Sequence, residues 1–225
     1  MSELNDSTSK KRKLEFLNSF ALHDYIIDLS WSPKCSKIAA ITVEGEVFLI
    51  HLDEETPRKQ KLGEHKAGAN SLSWRHDGQE FATAGQDGLV KVWDGNSGQK
   101  LCALEAGSSW VAKVAYNPRS NSLASSAGRH LKLWTEERSV FYESSEHSST
   151  IADMAWNPDG SGVAVAAYFG GTLHAPGKQR QPRKYQWKGS SLVLAWSPDT
   201  KYIATGEQDS TVHFWNRKSG EDAQM

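Results

Sequence analysis

The sequence predicts an all-β repeat fold, five four-stranded antiparallel sheets laid one after another over nearly the whole chain. Three observations carry that prediction. Short runs alternate apolar with polar residues, the two-residue period of strands with one buried face. Turn residues punctuate these runs, as at Asp77-Gly78 and Asp87-Gly88, where glycine supplies the positive φ of a tight hairpin. The pattern also has a long period. An aromatic closes the first strand of each unit at Trp31, Trp74, Tyr116, Trp156 and Trp196, with gaps of 43, 42, 40 and 40 residues, and each stands before a turn.

In chain order, residues 1–13 are polar and low in hydrophobics, which predicts a disordered basic tail. Its run Lys10-Lys11-Arg12-Lys13 resembles a short nuclear-import signal, the alternative being a solubilising tail. Leu14 to Leu22 (LEFLNSFAL) reads as a strand ahead of the first full unit. Unit one, about 23–62, runs YIIDLSW, KIAAITV, EVFLIHL and a short fourth strand near Arg58 to Leu62. Unit two, about 63–105, has strands at Ala69 to Trp74, Phe81 to Gly85, Leu89 to Trp93 and Gln99 to Leu104. Unit three, about 106–145, runs WVAKVAY, SLASSAG, HLKLW and VFYES, with Arg129 in a shortened turn. Unit four, about 146–188, begins TIADMAW and GVAVAAY and then departs most from the pattern, with a basic loop from Gly177 to Lys184. Unit five, about 189–225, has SLVLAWSPD, YIATGEQDS and TVHFWN, and the sequence stops inside what reads as its fourth strand.

The spacing inside the units is specific as well. Asp87 follows Trp74 by thirteen residues and Asp209 follows Trp196 by thirteen; Trp93 and Trp215 come six further on. A period of roughly 40–45 residues with four strands per repeat is that of WD-type propeller blades. Unit two carries His65, Thr83, Asp87 and Trp93, a complete match to that family's tetrad. The chain therefore resembles a WD-repeat β-propeller from about residue 22 to 216. The resemblance implies a buried relay in which the Trp93 indole reaches Thr83, Thr83 reaches His65 and His65 reaches Asp87. Such a relay is architecture rather than a hydrolytic triad. Other units match in part: Ala40, Glu44 and Ile50 occupy the tetrad places of unit one. Phe169 and Ala175 replace the aspartate and tryptophan of unit four, and Trp187 replaces the histidine of unit five. Five blades are fewer than the family's usual number, so the resemblance implies an open, incomplete member of a larger propeller. Alternatively, Leu14 to Leu22 supplies an outer strand and closes a five-bladed ring. An open arc leaves the outer faces of the first and last blades bare.

Composition narrows the function. A net charge of −1 over 225 residues argues against a general nucleic-acid or membrane footprint. Two cysteines, Cys35 and Cys102, fall in different units and predict no disulfide framework. No apolar run reaches membrane-span length and the polar start has no secretory signal, so a soluble cytoplasmic or nuclear protein is expected. Catalytic motifs fail in turn: there is no Gly-x-Ser-x-Gly, His-Glu-x-x-His or Cys-x-x-Cys. The stretch from Gly171 to Lys178 has the wrong glycine spacing for a phosphate loop, and Gln179 stands where a hydroxyl should be. No cofactor or metal is expected.

A binding surface is expected instead. The resemblance places the loop before each first strand, and the loop between second and third strands, on one propeller face. That assigns Tyr25, Ile27, Asn70, Gln86, Trp110, Tyr168 and Gln208 to a partner-binding face. Its aromatics, Tyr25, Trp110 and Tyr168, are the natural anchors. Lys178, Arg180, Arg183 and Lys184 form a basic loop on the opposite face, suited to an acidic partner or simply solvated. The expected function is a non-enzymatic scaffold that holds other proteins, as in a multiprotein complex. The alternatives are an enzyme or small-ligand binder using the central channel, and an anion-binding adaptor working through residues 177–184.

Overall fold

The computed structural model describes residues 18–52, 56–177 and 181–222, and every regular element in them is a β-strand. The first sheet contains β1 (Ile26–Trp31), β2 (Lys37–Thr42), β3 (Glu46–His51) and β4 (Arg58–Glu64). The second contains β5 (Ala69–Trp74), β6 (Glu80–Gly85), β7 (Leu89–Asp94) and β8 (Lys100–Glu105). The third contains β9 (Val111–Tyr116), β10 (Leu123–Ala127), β11 (His130–Trp134) and β12 (Val140–Glu143). Each is an antiparallel meander in sequence order.

The last two repeats are joined. β13 (Asp153–Trp156), β14 (Val163–His174), β15 (Arg183–Trp196), β16 (Tyr202–Glu207) and β17 (Val212–Asn216) form one five-stranded sheet. β14 folds back on itself at Phe169 and Gly170, where φ is 69° and 100°. The fold brings Gly162 against its far end, where a Cβ would stand 2.6 Å from the His174 carbonyl oxygen. β15 serves two repeats: its first half pairs with β14 from Leu173↔Arg183 to Gly170↔Gln186. Its second half pairs with β16 from Ser191↔Glu207 to Trp196↔Ile203. Residues 65–68 separate β4 from β5, but no loop interrupts β15, so the expected break between units four and five is missing. The fifth unit also differs from the expected four strands. Among the described residues its fourth strand is reduced to one bridge, Trp215↔Asp222.

The sheets stack in register, and hydrogen bonds at a near-constant offset show it. The Trp74 indole donates to the Ser30 carbonyl at 3.0 Å, Trp156 to Ala115 at 2.9 Å and Trp196 to Ala155 at 3.1 Å. The Asp28 carboxylate accepts from the Leu72 amide and Asp153 from the Leu194 amide, both at 3.0 Å. First strands of successive repeats therefore lie side by side and run the same way. Between them, one sheet offers alanine and β-branched residues while the next offers tryptophan and leucine. Ala39, Ile41, Val47 and Leu49 of the first sheet pack on Leu72, Trp74, Phe81 and Trp93 of the second. Ala82, Ala84, Val90 and Val92 of the second pack on Val111, Val114 and Tyr116 of the third. Small residues on one side let large flat rings close the wedge at interior density.

An ionic knot ties the second and third sheets at the edge opposite the candidate face. Glu80 accepts from Arg75 at 3.1 Å, from the Tyr116 hydroxyl at 2.9 Å, and from Arg138. Burial first, then the Glu80 charge, raises the Tyr116 phenol far above its ordinary value. Glu80 is thus a shared acceptor for three donors, which is how a carboxylate is held away from water.

The expected N-terminal strand does not form in its described part. Residues 18–22 are irregular, and the Ser19 amide donates to the Asn18 side chain, a local bond that competes with a ladder. Leu22 is nevertheless buried with Ala40 and Phe48. It stands nine residues before Trp31, as His65 stands nine before Trp74, so an apolar contact takes the place of the tetrad histidine. The expected tail (1–13) and Leu14 to Leu17 lie outside the described residues. The ring is open: Leu29 and Trp31 on the outward side of the first repeat are half exposed, as are Val193 and Val212 on that of the fifth.

Candidate protein-interaction face

Blade two shows how a loop is locked. The Trp93 indole donates to the Thr83 hydroxyl at 2.9 Å, Thr83 donates to His65 Nε2 at 2.8 Å, and His65 Nδ1 donates to Asp87 at 2.9 Å. Asp87 also accepts from the amides of Lys66 and Leu89, at 3.1 and 3.3 Å, clamping both loops at that edge. Burial holds the His65 imidazole below its ordinary pKa against the pull of Asp87. Burial alone would raise the Asp87 carboxyl, but the His65 bond, the ring's charge, the Lys66 amide and Lys91 overcome it and leave the pKa low. Both ring nitrogens of His65 are thus occupied, one by the buried Thr83 and the other by the partly buried Asp87.

Fragments of this relay persist elsewhere. Trp215 donates to Thr205 at 2.8 Å, and Trp134 donates to Ser125 at 2.9 Å. The second pair was not anticipated, although Ser125 follows Tyr116 by the nine residues that separate Thr83 from Trp74. His147 was missed too: it stands nine before Trp156, at the tetrad histidine's place in unit four. With Phe169 where the aspartate would be, His147 Nε2 finds no hydrogen-bond partner. Burial pushes its pKa down to about 4, helped by His130, Lys184 and Arg129. Its ring lies 5.1 Å from that of His174, whose Nδ1 is 2.8 Å from the Tyr142 hydroxyl. Among the described residues, no three His, Cys, Asp or Glu side chains are placed to hold a metal.

The residues assigned to the face fall at one edge of the stacked sheets, because first-strand starts pair with second-strand ends: Ile26↔Thr42, Ala69↔Gly85, Val111↔Ala127 and Ser191↔Glu207. Tyr25 is 82% exposed, Trp110 62% and Tyr168 43%; Ile27 is exposed beside Tyr25. Asn70 donates to the Val111 carbonyl at 3.0 Å, and Gln86 reaches Asn70 at 3.5 Å, so these amides brace the edge. Gln208 is exposed, its amide held by the Ser190 carbonyl.

Two of the grooves along this edge hold Trp110 and Tyr168. One of about 580 Å³ is lined by Asn70, Ser108, Ser109, Trp110, Ala112, Gly128 and Thr150. The other, about 480 Å³, includes Tyr168, Phe169, His147, His174 and Lys184. Asn70 and Trp110 are thus brought together, whereas Tyr168 belongs to the neighbouring groove and Tyr25 to neither. Tyr168 is pinned by its backbone, its amide donating to Ser149 and its carbonyl accepting from Ser148. Phe169, 55% exposed and 4.0 Å from the Tyr168 ring, was read in the sequence only as a lost aspartate. At the opposite edge Arg183 joins Lys201, Arg217 and Lys218 around a groove of about 620 Å³, whereas Lys184, expected there too, lines the Tyr168 groove. Lys178 and Arg180 lie outside the described residues.

Comparison with known proteins agrees with the repeat. A family model described as the anaphase-promoting complex subunit 4 WD40 domain matches residues 29–119, and one described as WD domain, G-beta repeat matches residues 185–216. Protein FIZZY-RELATED 3 of Arabidopsis thaliana is 29% identical over 164 residues, covering 69% of this chain and 34% of that protein. Protein transport protein sec13 of Aspergillus clavatus is 27% identical over 177 residues, covering 65% of this chain and 60% of that one. Intraflagellar transport protein 80 homolog of Mus musculus is 27% identical over 232 residues, covering 80% of this chain and 29% of the relative. The chain spans about a third of the length of the first of these. With the indole-to-hydroxyl relay of blade two, the stacked antiparallel meanders and these two matches, the chain belongs to the WD-repeat family.

Proposed function

We propose that this chain is a non-enzymatic scaffold that holds a protein partner on the edge carrying Trp110, Tyr168 and Tyr25. One observation carries the proposal. Trp110 is 62% exposed at the rim of a groove whose other side chains, Asn70, Ser108, Ser109, Ala112 and Thr150, are uncharged and mostly polar. A large ring left in water beside hydrogen-bonding groups is the composition of an interface hot spot, and blade packing does not need it. Relatives named for protein transport and for intraflagellar transport support a role in protein assemblies rather than in metabolism. Two free thiols, Cys35 and Cys102, suit a reducing cytoplasm or nucleus. No helix among the described residues is long and apolar enough to cross a membrane.

The test is affinity capture from cell extract with the wild type and a Trp110→Ala/Tyr168→Ala variant, scored by mass spectrometry. Loss of two anchors worth about 2 kcal/mol or more each removes most captured protein. Identical partners at equal yield refute this use of the face. A second reading is favoured by the basic groove at the opposite edge, where among the described residues Arg183 and Lys218 have no carboxylate partner, while Arg217 is tied to Asp159 at 3.0 Å and Lys201 to Asp199 at 3.1 Å. That reading expects binding of an acidic peptide that weakens steeply with salt and with Arg183→Ala. Salt-independent binding ends it.

A further inference from the structure

Repeats at one spacing should bury the same positions, and here the first and last repeats break the rule on opposite sides. Two residues before the closing aromatic stand Leu72, Val114 and Met154, at 7, 4 and 6% exposed, but Leu29 is 53% exposed. Trp74 is 8% exposed and its counterpart Trp31 51%. On the other side of each sheet, eight residues after the aromatic, Ala39, Ala82 and Ala124 are sealed and Ala164 nearly so, while Ala204 is partly open. Val90 is fully buried and Val212, its counterpart, is 60% exposed. The first repeat thus bares the tryptophan-and-leucine half of the ordinary joint between repeats, and the fifth bares the alanine-and-valine half.

Hydrogen bonding ends in the same place. Trp74, Trp156 and Trp196 each donate to a first-strand carbonyl of the preceding repeat, at Ser30, Ala115 and Ala155. The next acceptor in that series is the carbonyl of Ala195, which receives no indole. The first donor is Trp31, whose indole bonds nothing among the described residues. In front of Trp31 lies an apolar groove of about 290 Å³, lined by Phe20, Leu22, Leu29, Ile38 and Ile50.

We propose that this groove is a socket for the fifth repeat of a second copy of this chain, so that copies associate head to tail. Val193, Ala204, Val212 and Phe214 of one copy cover Leu29, Trp31 and Ile38 of the next, and the Trp31 indole donates to the Ala195 carbonyl. The occupant is a second copy because the plug offers the socket what each sheet offers the next inside the molecule: small apolar residues and one carbonyl at the same spacing. Continuity with four existing joints sets the geometry. One feature weakens the terminal joint. Val193 stands where Asp28 and Asp153 give a carboxylate to the next amide, so association is reversible and depends on concentration. The contact is heterologous, which leaves one socket and one plug free in every open assembly.

Sedimentation equilibrium of the full 225-residue chain over about 1–100 µM tests this. The expected result is a mass that rises with concentration above the 24.9 kDa of one chain. Trp31→Glu and Val212→Glu each give a monomer at every concentration, with far-UV circular dichroism unchanged. Mixed in equal amounts they give a one-to-one dimer and nothing larger, since the pair retains one intact socket and one intact plug. Trp31→Phe keeps the apolar ring, loses the donor and weakens association about five-fold. A wild type that stays monomeric throughout overturns the proposal, whether the faces close within one molecule or stay bare. So does a mixture of the two variants that fails to pair while the wild type associates, because the contact is then not head to tail.

Discussion

Thr83→Val is the sharpest probe of what holds these blades. The Thr83 hydroxyl is completely buried, accepts from Trp93 at 2.9 Å and donates to His65 Nε2 at 2.8 Å. Valine keeps the shape and removes both bonds, leaving one indole donor and one imidazole acceptor unpaired away from water. At about 1–3 kcal/mol for each orphaned group, the loss is about 2–6 kcal/mol. In a chain of this size that lowers the melting temperature by about 2–4 °C per kcal/mol. Thr205 is an internal control, because it accepts from Trp215 at 2.8 Å but bonds no histidine, Trp187 standing in that place. Thr205→Val therefore costs about 1–3 kcal/mol, roughly half as much. Urea unfolding followed by tryptophan fluorescence gives both values. Hydrogen exchange of the β6 and β7 amides shows whether the loss stays in blade two, since repeats can open one at a time. If Thr83→Val costs less than about 0.5 kcal/mol, or no more than Thr205→Val, the relay does not hold the blade.

Two further outcomes follow from blade four. Burial, with His147 adding to it, lowers the His174 imidazole to about 3, against about 6.5 in an unfolded chain. Between those values only the unfolded chain takes up the proton. The stability is therefore whole above about pH 6.5 and is lost as the pH falls toward 3; denaturant midpoints at pH 7, 5.5 and 4.5 should fall less steeply in His174→Phe than in the wild type. Gly170→Ala should cost about 2–4 kcal/mol, because φ is 100° and a Cβ would stand 2.1 Å from the Tyr185 carbonyl oxygen; a thermal melt within 2 °C of wild type contradicts it.

Much of the frame was legible because it rests on local pattern. The alternation in Ala69 to Trp74 and the turn glycines at 78 and 88 fix a meander that needs no distant contact to be seen. Blade two's relay was legible for the same reason, all four of its members standing at family spacing. The unread parts depend on partners far apart or on residues that replace the expected one. Phe20 and Leu22 look like a strand, but residues 18–22 have no neighbouring strand to pair with, so they settle on apolar contact. The fusion of β15 was hidden by Gly189, which reads as a turn residue but has no positive φ and lies inside one unbroken strand. Tyr142 and His174 are 32 residues apart, and nothing in either stretch announces that they bond. His147 escaped because its usual partners, threonine and aspartate, are Val165 and Phe169 here. On the candidate face, Trp110 and Asn70 proved to share a groove, while Tyr168 and Tyr25 stand apart from it.

The contrast between blades two and four explains why aromatics gather where they do. In blade two the turn between second and third strands ends on Asp87, which spends its carboxylate on His65 and on the amides of Lys66 and Leu89. A turn held that way is rigid, and its anchor faces inward. In blade four the corresponding position is Phe169, held at φ 69° where a bulky residue is strained. It cannot bond His147, so the histidine packs edge-on against His174 instead and the turn is freed from the relay. What steadies the turn is the pair of serines that grip the Tyr168 backbone. The ring of Phe169 is left outside, tilted against Tyr168. One side chain has thus moved from the interior bookkeeping of a blade to its surface, with a cost in backbone strain of about 1–3 kcal/mol. Strain of that size at an exposed aromatic pair has no use in packing, and it supports the proposal that the Tyr168–Phe169 turn, like Trp110, receives a partner.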